Sequence, residues 1–378
     1  MAEVVVVGGG VMGSAAAWQL ASAGHGVTLL ERSVPGHTEG SSHGSSRIFR
    51  LAYADAFYVS LAARALPLWR RVEEESGREL LTLTGAVDHG PASAIEQLHA
   101  RLREAGHEAR LLTPHQAAER WPQLRFDTSV VFHPAAGRVH ADHAVLAFQE
   151  AAAARGAAIR HEVRVAEIRR PGGGRVEVVT AGGEVLRADA AVVAVGGWAP
   201  GLAAGTVPGV GPLRVTQEQP VHFPAADALA WPSFIHHAGA GLPIGSEVYG
   251  LGSEDGVKVG LHGVGPVVDP DRRDRRVDEA ARARLRAYAE RWLPGADASR
   301  PDATTCLYTT TPDHDFVIDR DGPVTVLAGF SGHGFKFAPA IGALAADLVA
   351  GRPGAERFAL GRARGAADRL SPPSSAAR

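Results

Sequence analysis

The chain has 378 residues, 45% hydrophobic and 21% charged, with a formal net charge of −2. That length suits a globular protein with a large core in two lobes, and the near-neutral balance offers no field for nucleic acid or an anionic membrane. No apolar run approaches the roughly 20 residues of a membrane span, one cysteine excludes an intramolecular disulfide framework, and a strand-like run at Val4–Val7 argues against a signal peptide, so a cytoplasmic protein is expected.

Val4-Val-Val-Val7 is a short β-branched run suited to a parallel strand buried on both faces. Gly8-Gly9-Gly10-Val11-Met12-Gly13 follows at once and matches G-x-G-x-x-G through Gly8, Gly10 and Gly13. Ser14–Ala23 reads as a helix closed by Gly24, and Val27–Leu30 as a second strand ending in Glu31, 18 residues beyond Gly13. In such a unit the first glycine makes the turn, the second admits pyrophosphate, and the third lets helix and strand pack closely. The helix N-terminus offers free N–H groups and a positive dipole end to the phosphates. Glu31 can accept hydrogen bonds from a ribose hydroxyl. The complete strand–turn–helix–strand–acid unit predicts a bound dinucleotide.

Asp55–Glu75 reads as a long helix, with shorter ones at Ser93–Ala105, Pro114–Trp121 and Asp142–Arg155, the last capped by Asp142. Val176–Thr180 and Glu184–Arg187 form a hairpin pattern around Ala181-Gly-Gly183. Ala190–Val195 is another buried strand, ending in Gly196-Gly197-Trp198. A nucleotide fold that leaves for an antiparallel region and returns to such a strand is more typical of FAD proteins than of nicotinamide dehydrogenases. Residues 206–270 carry the pattern of an antiparallel sheet with turns, Arg272–Trp292 that of an amphipathic helix with a solvated charged face, and Phe335–Ala350 that of a final helix closed by Gly351. Residues 366–378 read as a disordered tail. The expected fold is α/β: a Rossmann-type FAD-binding domain from residues 1–83, 140–215 and 303–365, and an inserted antiparallel-sheet substrate domain from residues 84–139 and 216–302.

Of 39 basic residues only Lys258 and Lys336 are lysine, and the one cysteine, Cys306, lies between them. Lysine is a compact point charge and arginine a broad fork, so a tight cationic pocket can spare a lysine where the rest of the surface uses arginine. The neighbours of these three residues are distinctive: Gly40-Ser-Ser-His-Gly-Ser-Ser-Arg-Ile-Phe-Arg50-Leu-Ala-Tyr53, Lys258-Val-Gly-Leu-His262, Cys306-Leu-Tyr-Thr-Thr-Thr-Pro-Asp313 and Gly329-Phe-Ser-Gly-His-Gly-Phe-Lys336. With them the chain resembles the family of monomeric sarcosine oxidase and N-methyltryptophan oxidase, which includes pipecolate oxidases, from residue 1 to about residue 360. Three places depart from its pattern. Ser45-Ser46 stand where the family usually has Asp-Thr, Asp313-His314-Asp315-Phe316 permutes Asp-Glu-His-Phe, and the loop from Tyr249 to Lys258 is about two residues shorter.

The resemblance implies FAD joined through its 8α-methyl to Cys306, and oxidation of a secondary amino acid to an imine with oxygen reduced to peroxide. It makes Lys258 the oxygen-activating cation and Arg50 with Lys336 the clamp on the substrate carboxylate. His262, Tyr308 and Tyr249 would line the substrate pocket. His43 and Arg47 would sit against the flavin ring, with Gly332, His333, Gly334 and Phe335 at its pyrimidine edge. Val11, Met12, Arg32, Ser41, Ser42, Ile48, Val165, Gly196, Gly197 and Trp198 would complete the cofactor site. The chemistry agrees with the residue types: Arg50 can bind a carboxylate bidentately, and a fixed ammonium at Lys258 can stabilise charge developing on oxygen.

Other classes fit less well. Ser331 fails G-x-S-x-G because His333 occupies the last position. Neither His236-His237 nor Asp313-His314-Asp315 has a second convergent cluster in sequence, so no metal is expected. The alternatives kept open are a cyclic imino-acid oxidase or flavin dehydrogenase of a biosynthetic route, and a non-catalytic nucleotide-binding protein. The expected partners are a small amino acid and O2, for a chain acting as a monomer.

Overall fold

The computed structural model describes residues 1–239 and 246–362; the expected tail, 366–378, lies outside the described residues. Glu3–Val7 runs through a six-stranded sheet in the order Val317–Asp321, Val324–Ala328, Ala190–Val193, Glu3–Val7, Gly26–Leu30, Ala158–Arg160. All neighbours are parallel except the first pair. The unbroken valine run has a direct cause. Val4 and Val6 pack into a helical layer with Trp18, Phe148 and Ile341, while Val5 and Val7 pack into a second layer with Ile168, Val176 and Val178. That second layer is a three-stranded antiparallel sheet of Val165–Gly172, Arg175–Thr180 and Val185–Ala188, which extends the expected hairpin by one strand.

Several element ends differ from expectation. The first helix spans Val11–Ser22, beginning three residues before Ser14, and everything from Val11 to Ala21 is buried. Ala141–Ala153 is capped by His140, whose side chain accepts from the His143 amide, and not by Asp142. Asp142 is occupied elsewhere, accepting from Gly44 N at 2.9 Å. The arginine-rich helix starts at Glu279 and not at Arg272, because Asp278 takes the amides of Ala280 and Ala281. Phe335–Phe337 form a separate 3-10 turn before the helix Ala338–Val349. The long helix Ala56–Ser76 keeps its expected place, with Asp55 as cap and Gly77 at φ 68° as its end.

The second large sheet has eight strands: Asp302–Ala303, Val221–Phe223, Gly256–Leu261, Val248–Ser253, Ser233–His236, Ala86–His89, Val130–His133 and Arg110–Leu112. Its pairs are antiparallel except Ser233–His236 with Ala86–His89, which run parallel. Its core holds Phe132, Phe223, Trp231, Phe234 and, from the helix Glu279–Trp292, Leu285, Tyr288 and Trp292. Two smaller ladders connect the halves. Arg47–Phe49 pairs with Gly137–Val139, and Arg214–Glu218 pairs with Cys306–Thr310. The lysine, the cysteine and the Gly40–Tyr53 motif are thereby carried to one region between the sheets. Among the described residues no helix is long and apolar enough to cross a membrane.

Candidate active site

The glycine turn is closed by contacts that leave no room for side chains. Gly8 has φ 103°, and a Cβ on Gly13 would lie 1.8 Å from the Gly8 carbonyl oxygen. Gly13 therefore serves the packing of helix on strand and does not line the cavity. Val11 N donates to Ser42 Oγ at 3.0 Å, which ties the Gly40–Tyr53 segment to the helix N-terminus. Glu31 is buried, and its two oxygens accept from Gly9 N at 2.7 Å and Ser33 N at 2.8 Å. It holds the turn itself, and each oxygen retains accepting capacity for a hydroxyl. Arg32 stacks 4.6 Å from the Trp198 ring and pairs with Asp271 at 2.8 Å.

A cavity of about 790 Å³ starts at this turn. It is lined by Gly8, Gly10, Val11, Met12, Glu31 and Arg32, then by Ser41, Ser42, Arg47 and Val165, with Gly196, Gly197 and Trp198 on one wall. Cys306, Tyr308, Gly332, Gly334 and Phe335 lie at the other end. The size is that of a site for a large organic ligand. A phosphate-binding turn at one end, a thiol at the other and a long cleft between them fit FAD. Gly332, at φ 77°, is required there, since a Cβ would meet the Tyr308 ring at 2.1 Å.

Arg47 organises the loop beside the thiol by donating to the carbonyls of Ser41, His43 and Ser46 at 2.7–2.8 Å, and its guanidinium lies 5.6 Å from the Phe335 ring. The hydrogen bonding is through backbone oxygens, which explains how Ser45-Ser46 can replace Asp-Thr; the Ser46 hydroxyl is buried without a partner among the described residues. Ser45 instead donates to Asp255. His43 is pushed down to about 3, by burial first and then by Arg47, and its Nε2 has no partner among the described residues. Ile48 sits in the ladder opposite Arg138, outside the cavity lining.

Lys258 projects from the strand Gly256–Leu261, is 8% exposed, and reaches the Ser46 carbonyl at 3.4 Å. Burial, then the charge of Arg47, lowers it to about 7. Burial raises the Cys306 thiol while Arg47 and Lys258 pull it back, so these three groups share one electrostatic neighbourhood. The Tyr308 ring lies 5.5 Å from that of His262, tilted by 52°, and burial lowers His262 to about 4. Tyr249 lies beside Gly260, where a Cβ would touch its hydroxyl at 2.5 Å, and beside Tyr308.

Arg50 and Lys336 flank Tyr53. The Arg50 guanidinium is 4.7 Å from the Tyr53 ring, and Lys336 Nζ donates to the Tyr53 hydroxyl at 2.9 Å and the His333 carbonyl at 2.7 Å. Burial, reinforced by Arg50, lowers Lys336 well below an ordinary lysine. His333 turns its ring away, into a cluster with Tyr58 and Phe316. Asp313 and Asp315 bond to Arg362 and Arg357, so the permuted Asp-His-Asp anchors the segment 357–362.

Sequence reasoning missed a buried network behind Arg50. Asp88, fully buried, meets Arg50 Nη1 at 3.4 Å and His237 Nε2 at 2.9 Å, and His237 Nδ1 meets Glu247 Oε1 at 2.9 Å. Burial opposes charge on His237, yet the hydrogen bonds to Asp88 and Glu247 outweigh it and raise the imidazole to about 9. The only signal in sequence was an acid inside a strand, Ala86-Val-Asp-His89, where a buried charge needs a partner.

The comparisons with known proteins bear on the whole of this arrangement. The family described as FAD dependent oxidoreductase matches residues 3–348. This chain belongs to that family. It is 33% identical over 361 residues to monomeric sarcosine oxidase of Bacillus sp. (strain B-0618), covering 92% of each chain. It is 34% identical over 376 residues to a probable sarcosine oxidase of Arabidopsis thaliana (92% and 88%). With N-methyl-L-tryptophan oxidase of Yersinia pestis (strain Pestoides F) it shares 29% over 363 residues (93% and 95%). The resemblance to the sarcosine oxidase family is thus membership, and the chain is an FAD-dependent oxidase. Among solved structures, the open form of NikD, an unusual amino acid oxidase essential for nikkomycin biosynthesis, superposes with TM-score 0.82 at 25% identity, covering 95% and 97%. Glycine oxidase from Geobacillus kaustophilus shares the fold, with TM-score 0.80 at 23% identity over 96% and 98%.

Proposed function

We propose that this oxidase converts a small secondary amino acid, N-methylated or cyclic, to its imine, with electrons passing to O2 to give H2O2, and that its FAD is joined to Cys306. One observation carries the reading: two basic side chains, Arg50 and Lys336, both lie against Tyr53, and Lys336 directly follows Phe335, which lines the cavity that ends at Cys306. When bound, the flavin supplies the two-electron acceptor. The chain supplies the rest. Arg50 and Lys336 receive the substrate carboxylate, and His262 and Tyr308 wall the space over the reacting carbon. The neutral state of His262 suits a wall that holds an uncharged amine without protonating it.

The charges near Arg50 support a carboxylate. Once Lys336 is protonated, three basic groups (Arg50, Lys336, His237) stand with two acids (Asp88, Glu247), which leaves one positive charge to match one bound anion. On the other side, Lys258 beside Cys306 gives a buried ammonium where oxygen is reduced, as a preorganised charge outside bulk water. The names of the relatives, monomeric sarcosine oxidase and N-methyl-L-tryptophan oxidase, support the N-methyl amino acid class. We also propose a cytoplasmic monomer, which sedimentation and cell fractionation check.

The deciding experiment is anaerobic bleaching of the yellow protein by a panel of sarcosine, longer N-methyl amino acids, L-proline and pipecolate. Bleaching by at least one of them, with peroxide formed stoichiometrically on admitting air, is the expected result. No bleaching by any member, or reoxidation that needs an acceptor other than oxygen, defeats the reading.

A further inference from the structure

A second cluster of ligating side chains lies on the back of the eight-stranded sheet. His89 ends the strand Ala86–His89 and His236 ends Ser233–His236, and the parallel register sets these two residues directly opposite each other. Side chains alternate along a strand. The preceding Asp88 and following His237 therefore turn to the Arg50 side, while His89 and His236 meet on the other. Their rings are 4.0 Å apart between centroids, and each residue is only 3% exposed. Asp127, exposed, completes a group whose ligating atoms all lie within 4.8 Å of one another.

Two buried imidazoles in contact need polar partners, because an unpaired buried ring nitrogen carries a desolvation cost. His236 Nδ1 has one in the Tyr288 hydroxyl at 3.3 Å, which leaves Nε2 for another ligand. A metal-bound histidine usually has its second nitrogen held in this way. His89 Nδ1 is buried with no hydrogen-bond partner among the described residues. Around the pair, Phe126 stands edge-on to His89 at 5.2 Å and Trp292 edge-on to His236 at 4.6 Å, so the rings are fixed in place by packing.

We propose that His89, His236 and Asp127 bind a divalent cation of the zinc class. Two imidazoles and one carboxylate are the donor set such an ion accepts, with water in the remaining tetrahedral position. Bonds of about 2.0 Å place tetrahedral donors roughly 3.3 Å apart, so donors already within 4.8 Å of one another close onto an ion by small side-chain rotations. None of the three residues lines the flavin cavity, and the inference is independent of the amine chemistry. The ion would join the ends of two neighbouring strands that carry Asp88 and His237 on their opposite face.

The test uses the flavin-loaded protein, treated with a chelator, desalted, and titrated with Zn2+ by calorimetry, with metal content after gel filtration as the second readout. One Zn2+ per chain is expected, with a rise in melting temperature on its addition. Asp127→Ala, an exposed change that leaves the fold alone, should weaken binding at least about ten-fold, and His89→Phe should abolish it with flavin content unchanged. Absence of a tight equivalent in the unmodified protein overturns the proposal. So does wild-type affinity in Asp127→Ala, which settles the matter even where His89→Phe does not fold.

Discussion

Cys306 and Lys258 owe their chemistry to burial, and each makes a prediction of its own. The cysteine stands at the end of the flavin cavity with Arg47 and Lys258 for neighbours. Acid precipitation should leave the yellow colour with the pellet, while Cys306→Ser should bind FAD reversibly and release it to the supernatant. Quantitative release from the unmodified protein excludes the thioether. For Lys258 the direction of the shift decides the pH dependence. An ordinary lysine is a cation to beyond pH 10, but burial lowers this one to about 7. The ammonium that serves oxygen is thus present below that value and lost as pH rises through it. Reoxidation should slow on the alkaline side, while Lys258→Met should be slower by about 10²–10³-fold and insensitive to pH there. Stopped-flow mixing of the reduced enzyme with oxygen separates this from flavin reduction; equal slowing of both steps would make Lys258 a structural residue.

The residues legible in sequence were those whose chemistry is local: a glycine turn, a lone thiol, two lysines in an arginine-rich chain. Asp88, His237 and Glu247 were not, because each gains meaning only from a partner many residues away. Asp88→Ala should show what that costs. It removes the buried acceptor that meets Arg50 and leaves His237 with one acid in place of two. Uncompensated buried charge of this kind costs about 3–5 kcal/mol. Urea unfolding should register a loss of that size, along with a raised KM for carboxylate substrates. A fully stable variant with unchanged KM would mean that Asp88 does not position Arg50.

At the scale of elements, the strands and helices followed their hydrophobic periods, and the errors gathered at the ends. His140 took the cap that Asp142 was expected to hold, since Asp142 is drawn to Gly44 across a long loop closure. Arg273 bonds the carbonyls of Thr38 and Glu39, which keeps residues ahead of Asp278 out of the helix. No reading of local propensity includes such contacts. Two glycines give a matched test of element packing. A Cβ on Gly342, inside the final helix, would lie 2.4 Å from the Ala15 carbonyl of the first helix, whereas one on Gly351, at φ 81°, would meet nothing within 4 Å among the described residues. Gly342→Ala forces the two helices apart and should cost about 1–3 kcal/mol, perturbing FAD binding through the helix that carries the phosphate turn. Gly351→Ala meets only backbone strain, about 1–2 kcal/mol, and should leave flavin affinity as it was. Denaturant midpoints and flavin titration distinguish the two; equal effects on flavin binding would mean the helix contact does not support the turn.

For the whole molecule, the α/β class and the pairing of a nucleotide sheet with an antiparallel one could be read from glycine turns and strand patterns. The parallel pairing of Ser233–His236 with Ala86–His89 could not, because it joins segments from distant parts of the chain. That pairing matters for the pocket: it brings Asp88 and His237 to Arg50, while Lys336 arrives from the turn before the last helix. The assembled charges lead to a prediction about proton traffic. In the free protein, burial and then Arg50 hold Lys336 well below an ordinary lysine. A carboxylate arriving between Arg50 and Lys336 favours the ammonium, so the bound state has the higher pKa. Binding therefore takes up a proton when the pH lies between the two values, and affinity is fully present below the free value and declines as pH rises toward the bound one. Calorimetry of acetate binding in buffers of differing ionisation enthalpy should show net proton uptake, and Lys336→Met should abolish it while weakening acetate by about 1.5–3 kcal/mol. Binding heats that do not depend on the buffer would mean that Lys336 is already charged in the free pocket. In that case the pocket would hold its one uncompensated positive charge before any substrate arrived.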